Sequence, residues 1–450
     1  MLLEHANPYH PPLPRVLTLG WEDFDFALSS VNRGAIGTVA DWTVLAYLAA
    51  DCDLAAPMYE DLRELKSVGS GAALHVCALF DGPLVTDAYF VRLNAGSSLH
   101  DDLVLRWWEL QTHQKDTLVM AIQVAAAWPG RRRLLVLGGH GNGWKGLLQD
   151  RNIGFEYQRT PGRVRLPGPL DECKARLVQS QLAAQACINE RIETVAKPER
   201  PRYDVMAFDA CYMGNLEAIV ELSDHADILV VSEDLVPGEG YPYDRVLREL
   251  DANPAQSPVE FARRMVAVTG AAHAEPVRRA RPIAQVALAS DGLPPLAVAF
   301  ARLAAALTAA MDDDAVRRAA RYAINMAYRF GATGYIDLVG FVRKLGDHAL
   351  PEPVRERCTD VLAQWQRTLI AAAVPGTPDG PNGLSIYAPA PREFDPAYID
   401  TAARFRHGLS AWAMFLARYY LVVLGDEAPG HPLLQAIDRA RRAAAARDAD

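Results

Sequence analysis

Six cysteines (Cys52, Cys77, Cys173, Cys187, Cys211 and Cys358) in 450 residues, with no CxxC pair, are too few for a disulfide scaffold or a zinc ribbon. His, Cys and carboxylate residues are not grouped at zinc-ligand spacing, and there is no HExxH helix and no GxxxxGK[ST] phosphate loop. The sequence therefore predicts no metal and no cofactor. Basic charge is not in excess either: the formal net charge of −9 argues against a nucleic-acid partner. No uninterrupted apolar run is long enough to span a bilayer, the nearest candidates being broken by Asp291 and Arg302 or by Arg418. The opening stretch MLLEHANPYHPPLPRV lacks the cationic-then-apolar order of a signal peptide, so the expectation is a soluble, cytoplasmic chain with no membrane partner. Internal repeats are missing too, which excludes a solenoid.

What is present is an ordinary globular composition, half hydrophobic and 22% charged, in a chain long enough for two or three domains. Residues 42–50, 73–81, 134–137, 205–208, 227–231 and 283–289 are short apolar runs rather than alternating ones, as expected for strands buried on both faces of a parallel sheet. Residues 87–93 read as a hairpin companion of 73–81. Helical patterning falls at 59–68, 103–127, 216–223, 243–250 and 258–269. Alternating strands and helices predict a mostly parallel α/β sheet flanked by helices over the first 290 residues. Beyond it, residues 294–373 and 396–424 read as helical, with one isolated strand at 383–387 that is a candidate to join the same sheet. The organisation expected is a proline-rich arm at 1–40, a core at 41–290 with an inserted or mobile segment at 147–202, a mainly helical region at 291–425, and a tail at 426–450.

The chain is centred on YDVMAFDACYMG, residues 203–214. Cys211 follows a buried strand, at the carboxyl edge where open α/β sheets place their ligand crevice. The alternative is a structural cysteine, since free thiols are commonly buried. His140 also follows a buried strand, among Gly138, Gly139, Gly141 and Gly143, and a parallel sheet brings such strand ends together. A thiolate attacks a carbonyl, and a neighbouring imidazole produces one near neutral pH. Cys211 as nucleophile, His140 as base, and the N–H groups of Gly141 and Cys211 as oxyanion donors form the catalytic set read from these two strand ends. Asp209, on the cysteine's own strand, and Glu233 and Asp234, at the end of the next, are candidates to receive a cationic substrate side chain. Each has an alternative: helix capping or backbone binding for Glu233 and Asp234, orientation of His140 for Asp209. The stretch from Gly141 to Gly146 also matches GxGxxG, but proline- and arginine-rich sequence follows it where a dinucleotide site needs a helix and then a second strand.

Taken together, WTVLAYLAADCDL, LLVLGGHGNGW, FDACYMGNLEAIVEL, ADILVVSEDLVPGEGYPY and GLSIYAP resemble the clostripain family of cysteine peptidases, in that family's order and over residues 42 to about 389. The resemblance implies a caspase-like fold and a His–Cys dyad of His140 and Cys211. It further implies cleavage of polypeptides after Arg or Lys, with Asp209 as the acid that reads them. Self-processing between the two catalytic residues is implied as well, and Arg151, Arg159, Arg163, Arg165 and Lys174 offer positions for it. Calcium is a candidate by resemblance alone, since no calcium loop is visible. The approach to the histidine is LGGHG where relatives have a WNHG-like sequence, and the missing export signal suggests restraint by an activating protein or signal. The competing reading is a caspase-fold interaction module with an unused dyad.

Overall fold

The computed structural model describes residues 39–83, 87–99, 101–107, 110–113, 115–148, 202–275, 283–375, 379–424 and 442. The expectations for the arm up to residue 38, for residues 149–201 with the candidate processing positions, and for the tail beyond residue 424 lie outside the described residues, residue 442 apart. The chain divides into two units. The first runs to Cys211 and adds His225–Val231 and Leu235–Ile283; the second takes Tyr212–Asp224, Ser232–Asp234 and the chain from Ala284. The boundary expected at residue 290 thus falls near the start of the second unit's long run, but that unit also takes two short pieces from within 41–290.

Among the described residues, the strands of the first unit are β1 (Ala40–Ala49), β2 (Leu74–Asp81), β3 (Ala88–Arg92), β4 (Leu103–Trp107), β5 (Gly130–Gly138), β6 (Tyr203–Asp209) and β7 (Ala226–Ser232, whose last residue is counted with the second unit). Their spatial order is β7-β6-β5-β1-β2-β3-β4. β1 runs parallel to both β2 and β5, β5 to β6, and β6 to β7. β3 and β4 continue the sheet antiparallel. Val44, Ala46, Tyr47, Leu48 and Ala49 are fully buried, which is why β1 reads as an unbroken apolar run: both of its faces are covered. The helix Ala55–Val68 buries Met58, Leu62 and Leu65, the i, i+4, i+7 spacing of an amphipathic face. Ser257 and Glu260 form a capping box at the start of the helix Pro258–His273, with proline in its first turn.

The structure corrects the sequence reading at β4. Residues 103–107 are a strand, and the helix expected from 103 to 127 covers only Lys115–Ala125. Leu103 and Leu105 sit opposite Val91 and Phe90, so cross-strand pairing outweighs the helical spacing of the downstream residues.

The second unit is mainly helical, with Leu293–Ala309, Asp314–Met326, Leu338–Gly346, Glu352–Thr368 and Ser410–Leu424 as its long helices. Its strands are β8 (Gln285–Ala289), β9 (Tyr335–Asp337), β10 (Leu369–Ala373) and β11 (Ser385–Tyr387). β10 pairs antiparallel with β8, and β11 antiparallel with β9. The strand expected at 383–387 is therefore Ser385–Tyr387 and forms a two-stranded sheet with β9, rather than joining the main one, and β9 and β10 lie where the sequence predicted helix. Three-residue strands carry no measurable period, and the alanine-rich LIAAA of β10 has weak strand propensity. Trp412 forms the centre of this core: its ring lies 5.0 Å from Phe300 and 5.4 Å from Phe341, and its indole N–H donates to the Tyr387 carbonyl at 2.8 Å. Residues Ser290–Ala309 have the length and apolarity of a membrane-crossing helix, but half of the most apolar window is buried, with Leu296, Phe300 and Leu303 wholly covered.

Candidate active site

The register of β5 on β6 decides what meets at their carboxyl ends. Gly138 pairs with Asp209, and the Gly139 N–H continues the ladder to the Asp209 carbonyl at 3.2 Å. Two residues further along each chain stand His140 and Cys211. The two turns are in direct contact. A Cβ on Gly141 would lie 2.3 Å from the Cys211 carbonyl oxygen and 3.1 Å from the Ala210 Cβ, so only glycine fits beside the cysteine. The stretch after His140 is not a nucleotide loop: it closes on itself as a 3-10 turn at Gly143–Lys145, with the Asn142 N–H donating to the Gly146 carbonyl at 2.8 Å and no α-helix following within the described residues.

β6 ends at Asp209, so the extended backbone that would have put Asp209 and Cys211 on one face stops before the cysteine. The next residue, Tyr212, has φ of 60°, a left-handed conformation that a side chain with Cβ adopts at a cost of order 1 kcal/mol. This sharp turn leaves Cys211 half-buried, in contrast to Cys52, Cys77 and Cys358, which are buried. Burial pushes the Cys77 and Cys358 thiols up to about 12, which makes them inert near neutral pH. The Val236 N–H approaches the Cys211 sulfur at 3.4 Å, and the thiol has the Val236 carbonyl at 3.7 Å. An N–H directed at sulfur favours the thiolate.

His140 is one-third exposed, and its Nε2 lies 2.7 Å from Oδ1 of Asp53, whose side chain is 64% exposed. An ionised carboxylate only accepts, so Nε2 carries the donated proton and Nδ1 is the ring nitrogen left to act as base. The sequence reading missed Asp53. Its partner role follows from the sheet: β1 pairs with β5, Leu48 opposite Gly138, and the turn after β1 is thereby brought to His140. Orientation of His140 by Asp209 had been the alternative considered, and the aspartate bonded to the imidazole is Asp53.

Asp209 is engaged elsewhere. It accepts from the Tyr241 N–H at 3.0 Å and from the Tyr243 hydroxyl at 2.9 Å, and burial raises its carboxyl to about 6 despite those two donors. Gly240, at φ of 57°, passes so close that a Cβ there would lie 2.5 Å from Asp209 Oδ2. Tyr241 also donates from its hydroxyl to the Phe208 carbonyl at 2.7 Å, pinning the loop to β6. Neither tyrosine was singled out from the sequence, although both stand in the GYPY stretch.

The two other acids differ. Glu233 is fully buried, accepts from the Gly383 N–H and lies beside Asp337, with burial and that like charge raising its carboxyl well above the carboxylate range. Such a group is committed to the second unit's interior, as the backbone-binding alternative had it, and we leave it out of the substrate set. Asp234 is half-buried, and its carbonyl accepts from the Tyr212 N–H at 3.1 Å. Calcium does not fit the donors present: among the described residues the three-donor cluster is Cys52, Asp53 and His140, and a thiol and an imidazole are not calcium ligands. No step below is routed through calcium.

The clostripain family model (peptidase family C11) matches residues 179–348, a stretch that contains Asp209 and Cys211 and begins after His140. No curated protein matches the sequence. Among solved structures, a secreted C11 cysteine protease from Bacteroides thetaiotaomicron in complex with an irreversible peptide inhibitor is similar, with a TM-score of 0.56 and 18% identity over 83% of this chain and 99% of that one. An inactive zymogen C11 protease from Parabacteroides distasonis is similar too, with a TM-score of 0.51 and 19% identity over 79% of this chain and 94% of that one. At these identities the likeness establishes the fold, a mostly parallel sheet flanked by helices with further helices toward the carboxyl end.

Proposed function

We propose that the chain is a cysteine peptidase of the clostripain family, whose model matches residues 179–348, and that it cleaves polypeptides after Arg or Lys with His140 and Cys211 as the dyad. The observation that carries the proposal is the contact of the two turns, in which the β5–β6 register sets His140–Gly141 against Ala210–Cys211.

In this reading Nδ1 of His140 takes the Cys211 proton, and Sγ attacks the scissile carbonyl carbon. The carbonyl π electrons move to oxygen, and the N–H groups of Gly141 and Cys211 receive the oxyanion. Collapse breaks the C–N bond as the imidazolium returns its proton to the leaving amine. Water, deprotonated by His140, then hydrolyses the thioester and regenerates the thiol. Asp53 holds the imidazole in the tautomer this requires. Asp209 receives the substrate guanidinium or ammonium, a charge-assisted bond in a site from which water is largely excluded.

The test is hydrolysis of an Arg-linked fluorogenic peptide by the purified protein, with Cys211→Ala beside it. Turnover that survives in the variant sinks the mechanism, and a wild-type chain that neither turns over nor labels with a thiol-reactive Arg peptide favours the interaction-module reading. We also propose self-processing at a basic residue of the 151–174 stretch, and the zymogen state of one similar protein supports a precursor form. Intact mass of wild type and Cys211→Ala checks it: a pair of smaller fragments in the wild type alone is expected, an uncut wild type that is already active argues against processing, and an uncut, inactive one argues for activation by a partner.

A further inference from the structure

Cys52 and Asp53 stand in the turn that ends β1, and the β1–β5 register brings that turn to His140. The thiol sulfur, a carboxylate oxygen and an imidazole nitrogen all lie within 4.8 Å of one another. Zinc bonds of about 2.3 Å to sulfur and 2.0 Å to nitrogen or oxygen put tetrahedral ligand atoms roughly 3.5 Å apart, so small side-chain adjustments close the set. We propose that Cys52, Asp53 and His140 bind zinc and that the bound ion switches the peptidase off; that consequence, though not the binding, rests on the dyad reading above.

The donor chemistry selects the ion. Thiolate and imidazole suit zinc and its neighbours and disfavour calcium and magnesium, and three protein ligands leave a fourth position for water. The partial exposure of His140 and Asp53 provides an entry path, while the buried sulfur, 3% exposed as a residue, forms the inner wall. Before binding, the Cys52 thiol has the Ala49 carbonyl at 3.6 Å. On binding, the thiol proton leaves to solvent and that contact is given up. The metal takes the Nε2 lone pair, so the neutral ring must carry its one proton on Nδ1. An imidazole with Nδ1–H cannot accept the proton of Cys211. The switch therefore acts on the base and leaves the nucleophile untouched.

Cobalt is the probe, because a thiolate–cobalt bond gives a near-ultraviolet charge-transfer band. With Cys211→Ala protein, which removes the competing active-site thiol, the band is expected on cobalt addition, with displacement by zinc. Adding Cys52→Ala or Cys52→Ser should abolish the band and weaken zinc binding by at least about tenfold, the loss that even an outer-shell change causes. Far-UV circular dichroism identifies which of the two substitutions is folded. In the Cys211-containing protein, the folded Cys52 variant is expected to cleave the Arg peptide as before and to lose zinc inhibition. A band that survives without Cys52, no band in folded Cys211→Ala protein, or zinc inhibition unchanged in the Cys52 variant would each overturn the site. A band in Cys211→Ala protein, together with wild type that neither turns over the Arg peptide nor labels with its thiol-reactive form, would instead sink the dyad reading and leave the metal site standing.

Discussion

Two buried carboxyls, one in each unit, are held by the same pair of donors. In the first unit Asp209 accepts from the Tyr241 N–H and the Tyr243 hydroxyl; in the second, Glu217 accepts from the Tyr387 N–H at 3.0 Å and the Tyr398 hydroxyl at 2.8 Å. Burial raises both, Asp209 to about 6 and Glu217 to about 7. Yet they are assigned different work. Asp209 ends a strand two residues before Cys211, the proposed nucleophile, whereas Glu217 lies in the first turn of the helix Leu216–Leu222 and ties it to β11 and to the helix Ala397–Ala402. A perturbed carboxyl with two good donors therefore does not mark a functional site by itself; what sets Asp209 apart is its place at a strand end beside the proposed nucleophile.

The sharpest test of that rule uses a third acid that looks unremarkable by burial. Asp53 is exposed, and what nominates it for catalysis is the 2.7 Å contact with His140. Asp53→Asn should lower kcat by about 10²- to 10⁴-fold with little change in KM, the range seen when a base loses its orienting acid. Rates within a few-fold of wild type would show that position at a strand end is not enough. Next in size, Asp209→Asn should reduce cleavage of Arg relative to neutral peptides by about 10²-fold, the order expected for removing one partner of a desolvated charge pair. Glu217→Gln should leave that preference unchanged and cost stability of about 1–3 kcal/mol, because the amide buries an NH₂ donor beside the two donors that the carboxyl accepts from. If Glu217→Gln alters selectivity, the division of labour between the two carboxyls fails.

Legibility in the sequence follows the same line. β1, β5 and β6 announce themselves because a strand covered on both faces must be apolar throughout, and their carboxyl ends then nominate His140 and Cys211. β4, β9 and β10 were not visible, since short or edge strands take their identity from a partner rather than from their own period. Asp53 and Cys52 were invisible for a related reason. They meet His140 through the spatial neighbourhood of β1 and β5, which the order of the chain does not reveal, and no ligand spacing in the sequence records it. Asp209 was found by its closeness to Cys211, but its Tyr241 and Tyr243 partners come from a loop beyond β7.

The smallest effect separates Asp209 from Glu217 by pH. Both carboxyls hold their protons more tightly in the folded chain than in the unfolded one, at about 6 against an ordinary 3.8 for Asp209 and about 7 against 4.5 for Glu217, with burial as the leading cause. Below about pH 4 each is protonated in both states and its contribution is fully present. As pH rises through the window from about 4 to 7, the unfolded chain releases protons that the folded chain retains, so stability falls, by at most about 3 kcal/mol for each group. Denaturant midpoints measured from pH 4 to 8 in the Cys211→Ala background should therefore decline toward neutrality. Asp209→Asn should flatten the lower part of that decline and Glu217→Gln the upper part. Selectivity responds to one of them alone. Only ionised Asp209 attracts a cation, so the preference for Arg over neutral peptides should grow as pH crosses about 6 in the wild type and in Glu217→Gln, and stay flat in Asp209→Asn. A preference that is constant from pH 5 to 8 in the wild type would assign the reading of the basic side chain to another acid.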